Sequence, residues 1–191
     1  MEDSVAIWRD ATRETAQSYR RMIDAAVGQL TDEELFQRPA PDVNSVANLL
    51  RHLGGNLRSR WTDFLTTDGE KPDRDRETEF ADWEGDRQSL LACFDAGWAC
   101  LESAIDQITA DNISRPVVIR GEAHTLPQAF GRSLTHIAYH AGQIALIART
   151  VHAGEWRWLT IKPGGSAEHN RDTWGTPAAR SVFGSSQETS E

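Results

Sequence analysis

Residues 127–152 read PQAFGRSLTHIAYHAGQIALIARTVH, and their apolar positions recur every three or four residues instead of alternating. Leu134, Ile137, Ile144 and Ile147 give this stretch a substantial apolar surface, while Gly131, Ala138, Ala141, Gly142 and Ala145 leave room for close neighbours. Pro127 suits a first helical turn and Gly154 follows the last. One long helix is therefore predicted from near Pro127 to about His152.

Three further stretches carry the same period. The first runs from Ser4 to about Leu30, through Trp8, Thr12, Tyr19, Ile23 and Ala26. Thr31-Asp32-Glu33-Glu34 has the form of a capping box opening a short extra turn, which Pro39 and Pro41 end. A second helix is expected from Asn44 or Ser45 to Leu65, and a third from about Phe80 to Ile108, with Trp83, Leu90, Phe94, Trp98, Leu101 and Ile105 on its buried side. Residues 68–79 read as a charged loop. Pro116 to Arg120 and Ala123 to Leu126 flank Gly121-Glu122 and suggest a short β-hairpin before the last helix.

The expected fold is thus all-α, a four-helix bundle over residues 1–160 with one hairpin and an irregular, partly flexible tail over 161–191. Up-down-down-up and simple up-down orders are equally compatible with these connections.

Composition narrows the function. A net charge of -9 without a basic cluster argues against nucleic acid, and no apolar run approaches the roughly 20 residues that a membrane span needs. The acidic start MEDSVAIWRD lacks the form of a secretory signal, so a cytoplasmic location is expected. Cys93 and Cys100 are seven apart on one predicted helix, about 10 Å, too far for a disulfide, and read as small core residues.

Chemistry points to histidine. His136 and His140 are four apart, so both imidazoles can reach one ion from the same helix face. A pair of this kind also arises by chance as two unrelated surface residues. His52 lies on the flank of the Leu49, Leu50, Leu53, Leu57 stripe, where a core histidine bonded to a carbonyl is the competing reading. Asn56 falls near the middle of that stripe, and a buried amide needs a partner, which favours a polar pocket there. Together His52, His136 and His140 form a coherent ligand set: neutral imidazoles suit zinc, nickel, copper or ferrous iron, and three leave at least one position open.

Arg132 and Gln143 extend the His136–His140 stripe, and Arg60 lies two turns beyond His52. A cation beside an apolar face favours an anionic ligand such as a carboxylate, or else an internal pair with Asp63 or Glu102. Tyr139 reads as packing or a dimer contact. Trp61 and Trp98 are core residues or walls of the site, and His124, His152 and His169 read as structural or solvated.

The stretches NSVANLLRHL (44–53) and HIAYHAGQI (136–144) resemble the two metal motifs of the DinB-like (YfiT-like) metalloenzyme superfamily. GNLRSRWTDFLTTDGEKP (55–72) is similar to a bacterial subgroup described as a domain of unknown function, and the resemblance covers roughly residues 5–170. It implies a four-helix bundle, often dimeric, with one divalent transition metal, zinc or nickel, on His52, His136 and His140. It further implies thiol-dependent S-transferase or isomerase activity using bacillithiol or mycothiol. Arg132, Gln143, Asn56 and Arg60 are the remaining site candidates, and a small-molecule substrate bearing a carboxylate and a homodimer are the expected partners. The alternatives are a non-catalytic metal- or ligand-binding dimeric bundle and a metal-dependent hydrolase. Lys162-Pro163-Gly164-Gly165-Ser166 resembles the subgroup's segment after the last helix and reads as a lid.

Overall fold

Four long helices dominate the architecture: α1 (Glu2–Val27), α3 (Val46–Trp61), α4 (Arg87–Asp106) and α5 (Leu126–Val151). In the computed structural model, which describes residues 2–174, two short helices, α2 (Asp32–Phe36) and α6 (Ser166–Thr173), and a hairpin of β1 (Pro116–Ile119) and β2 (Glu122–Thr125) complete the chain. The molecule is mostly helical around one apolar core, in which Ile23, Leu49, Leu53, Leu90, Phe94, Leu101, Phe130 and Ile144 are fully buried. No helix among the described residues is long and apolar enough to cross a membrane.

Residue pairings reveal the helix directions. Trp8 meets Phe130 at one end of α1, and near its other end Gln29 accepts the Arg157 backbone N–H, so α1 and α5 run parallel. Arg13 pairs with Asp106 and Arg87 Nη2 donates to Val27 O, so α4 opposes α1. Trp61 stacks on Phe130 while His52 faces His136 and His140, so α3 opposes α5. The order is up-down-down-up, the alternative that the connections left open. Parallel neighbours α3 and α4 need a long crossover, and residues 62–86 provide it.

Where α3 crosses α4, backbone meets backbone. A Cβ on Gly97 would sit 2.2 Å from Gly54 O, so both positions exclude any larger residue. Capping boxes open α2 and α3 where the sequence predicts them, and a third opens α5. Ser45 and Asn48 cap α3 reciprocally, Thr125 and Gln128 cap α5, and Thr31 and Glu34 cap α2.

Several boundaries shift from the sequence reading. α3 ends at Trp61, four residues before Leu65, because Thr62 is extended and Asp63 adopts a positive φ of 48°. α4 starts at Arg87, where Asp86 caps it, and not near Phe80. Phe80 closes a 3-10 turn (Thr78–Phe80), and Trp83 lies ahead of the helix, half-buried, with the Arg51 guanidinium 5.1 Å from its ring centre. The periodicity misled because Trp83 packs on the core, and Phe80 on the His52 ring, from outside the helix. Part of the expected irregular tail is helical, as α6; its residues 175–191 lie outside the described residues.

Candidate metal centre

The site forms where α3 and α5 face each other. His52 projects from the second turn of α3, and His136 and His140 from successive turns of α5. His136 Nε2 lies 3.2 Å from His52 Nε2 and 3.1 Å from His140 Nε2, and one ligand atom from each of the three rings falls within 4.8 Å of the others. Imidazole nitrogens around a tetrahedral ion bonded at ordinary lengths stand about 3.3 Å apart. The cluster can hold a metal ion.

The surroundings assign the protons. His52 Nδ1 is 2.8 Å from Glu79 Oε2, and a carboxylate only accepts, so Nδ1 carries a proton and Nε2 is the nitrogen of the neutral ring that offers a lone pair. Gln143 Nε2 donates to the Tyr139 hydroxyl at 3.1 Å, which turns Oε1 toward His140 Nδ1 at 2.8 Å and fixes the same tautomer there. His136 Nδ1 is buried without a hydrogen-bond partner among the described residues. A single proton on His136 cannot satisfy both facing lone pairs and its own second nitrogen, whereas a cation accepts all three Nε2 pairs. Burial pushes His136 down to about 3, aided by the charges of His140, His52, Arg60 and Arg74. His140 falls to about 4 through burial and the neighbouring His52. Neutral rings at neutral pH are the form that binds metal.

Glu79 is the residue of the candidate site that the sequence did not reveal. It belongs to the 3-10 turn at the end of the charged loop and is buried. Asn48, one turn before His52, holds that turn in place: its Nδ2 donates to Phe80 O at 3.3 Å and to Ala81 O at 2.8 Å. Phe80 then stacks on the His52 ring, centroids 4.7 Å apart. Arg74 Nε and Nη2 clamp the two Glu79 oxygens at 2.8 Å each. Burial alone would raise the Glu79 carboxyl, but hydrogen bonds from His52 and Arg74 outweigh it and hold the group below its ordinary range. Glu70 continues the chain outward, accepting from Arg74 at 3.4 Å and Arg120 at 3.2 Å.

A signal for this arrangement existed in Gly54-Gly55. Each glycine within a helix costs about 1 kcal/mol relative to alanine, so two in succession imply close approaches. Gly54 admits α4, and a Cβ on Gly55 would lie 2.3 Å from Glu79 Oε1. What comes close could not be read from the pair.

The other candidates divide. Gln143 orients His140 instead of facing the open side of the cluster. Asn56 stands half-buried on α3 between His52 and Arg60, without a hydrogen bond among the described residues. Arg60 is buried and pairs with neither Asp63 nor Glu102, while Arg132 is exposed. Trp61 is core, stacked on Phe130 with its Nε1 donating to Ser133 Oγ at 3.2 Å, and Trp98 packs on Phe94. Cys93 and Cys100 are half-buried and free. His152 pairs with Glu34 at 3.1 Å, as a structural residue would.

Among solved structures, the chain is similar to the crystal structure of the "conserved protein of locus from Enterococcus faecalis", with 20% identity and a TM-score of 0.55 over 73% of this chain and 94% of that one. At that identity the likeness concerns the fold alone. No curated protein matches the chain. The family described as "Protein of unknown function (DUF1572)" matches residues 3–165, which span both histidine motifs, the Glu79 loop and the four long helices, and the chain belongs to that family.

Proposed function

We propose that this protein is a metal-dependent enzyme of the DinB-like (YfiT-like) kind, a four-helix bundle in which His52, His136 and His140 hold one divalent transition metal ion, zinc or nickel. Its reaction would be transfer or isomerisation at the sulfur of a low-molecular-weight thiol such as bacillithiol or mycothiol. The observation carrying this reading is the convergence of three Nε2 atoms, two of them on rings whose Nδ1 faces Glu79 and Gln143. An ion with three imidazole ligands keeps a position open and supplies Lewis acidity, which lowers the pKa of a thiol bound there.

The chain's own residues do the positioning. Glu79 accepts the His52 Nδ1 proton and keeps Nε2 turned inward, Gln143 does the same for His140, and Phe80 covers one face of the His52 ring. A hydrolase would call for a free carboxylate to take a proton from water. Glu79 does not offer one, because both of its oxygens are occupied by Arg74 and His52. Thiol chemistry, which needs no such base once the thiolate forms, suits the site better. A cytoplasmic homodimer belongs to the same reading, with Tyr139 and Leu146 exposed on α5 and Ile7 exposed on the adjoining α1.

Elemental analysis of untagged protein, beside His52→Ala and His136→Ala, tests the metal centre. One transition metal per chain, lost in both variants while the apo protein stays folded, is expected and would justify a thiol-transfer screen. Wild type that resists metal reconstitution sinks the proposal, and an apo form that melts or dissociates points to a structural ion.

A further inference from the structure

Arg60 presents a problem that the metal centre does not solve. It is 9% exposed, its Nη1 is sealed from solvent, and it makes no hydrogen bond or ion pair with any described residue. A buried guanidinium without an acceptor is strongly unfavourable. The carboxylates whose charges reach Arg60 hydrogen-bond elsewhere: Glu70 is shared by Arg74 and Arg120, and Asp68 accepts the backbone N–H groups of Glu70, Arg120 and Gly121.

Nor can Arg60 readily swing away. The Gly69 backbone presses on it, since a Cβ there would lie 3.1 Å from Arg60 Cδ and 3.3 Å from Nη1. Gly69 is itself tied down, its N–H donating to Val118 O at 2.8 Å and its carbonyl accepting from Ser59 Oγ at 3.2 Å. Across the helix pair, the Trp61–Ser133 hydrogen bond sets the adjoining residues Arg60 and Arg132 at one level. Arg132 is exposed and likewise makes no hydrogen bond or ion pair with a described residue.

We infer that Arg60 and Arg132 together receive the carboxylate of a small-molecule ligand, at the margin of the three-histidine cluster. A guanidinium held by one sealed end presents its remaining edge, and that planar pair of donors matches the two oxygens of a carboxylate. Two unpaired arginines at one level are a local reversal in a chain of net charge -9, so they attract an anion that the rest of the surface repels. Electrostatics agree with the placement. Burial lowers Arg60 to about 10, with Arg132 its largest charged neighbour, and the Arg60 charge is also felt at His136. The purpose of the site rests on the metal-centre proposal, because an anion anchored here leaves the rest of its molecule beside the imidazoles.

Calorimetric titration of the full chain with succinate, in chelator-treated and zinc-loaded forms, tests both ideas separately. Wild type is expected to bind succinate in either form. Arg132→Met, an exposed change that leaves the fold intact, should weaken binding about tenfold, the worth of one charge-assisted hydrogen bond. Arg60→Met should weaken it further and Arg60→Lys recover part of the loss. Zinc loading without succinate binding overturns the carboxylate site while leaving the metal centre standing; succinate binding without zinc uptake does the reverse. Unchanged succinate affinity in Arg132→Met and Arg60→Met refutes the assignment to these arginines, and binding of inorganic phosphate but not succinate refutes the ligand class.

Discussion

Two histidine–carboxylate pairs stand at different places in this molecule, and their difference shows what sets the three-histidine cluster apart. At His52–Glu79 the distance is 2.8 Å, and at His152–Glu34 it is 3.1 Å. Both carboxylates come from segments remote in sequence, and both are buried. Glu34 also accepts the backbone N–H groups of Ala153 and Thr31, so it works as a clasp joining the end of α5 to the cap of α2. The His152 ring turns its other side to Gly154 and Trp156. Glu79 spends its remaining capacity on Arg74, and the far nitrogen of His52 meets two more histidines. The two differ in what the second imidazole nitrogen faces, not in the pair itself.

The largest contrast should come from neutralising each carboxylate. Glu79→Gln is expected to lower zinc affinity by about 10- to 100-fold in a chelator competition, because His52 loses the acceptor that fixes its tautomer. Glu34→Gln should leave zinc affinity unchanged, and a comparable loss there would break the comparison. Next, Gly55→Ala drives a methyl group into the Glu79 carboxylate and should cost about tenfold in zinc affinity. Its counterpart Gly154→Ala meets the His152 ring at 2.9 Å and should lower only the stability measured by urea unfolding, by about 1 kcal/mol or less. Gln143→Leu frees the His140 ring to turn and should reduce zinc affinity a further step less, about fivefold by the same competition.

Acid separates the pairs most finely. Hydrogen bonds from Ala153 and Thr31, then His152, lower the Glu34 carboxyl from 4.5 to about 2. The unfolded chain therefore takes up this proton near pH 4.5 while the folded chain does not, so the clasp's stabilisation is complete above about 4.5 and is lost as pH falls toward 2. The wild-type urea midpoint should drop across that window, and Glu34→Gln should lack that part of the slope.

Helices, two of the caps and the histidine cluster were legible in the sequence because they depend on short-range periodicity: apolar positions at three and four, Thr31 and Ser45 ahead of their helices, and two histidines one turn apart. The same logic failed at residues 80–86, where Phe80 and Trp83 mimic a helical stripe while packing from an irregular segment. Glu79 was illegible for a related reason. Nothing local distinguishes it from the other acids of the charged loop, since its partners His52 and Arg74 matter only once Asn48 and Gly55 bring that loop against α3.

By itself, then, the sequence determined four amphipathic helices, two of the caps and three histidines able to share one ion, all properties of neighbours within a turn. Only the tertiary structure decided the parallel course of α3 and α4, the Glu79 support behind His52 and the absence of a hydrogen-bond partner for Arg60 among the described residues. Those depend on which distant segments meet, and a hydrogen bond or ion pair between such segments has no energy until packing has closed the distance.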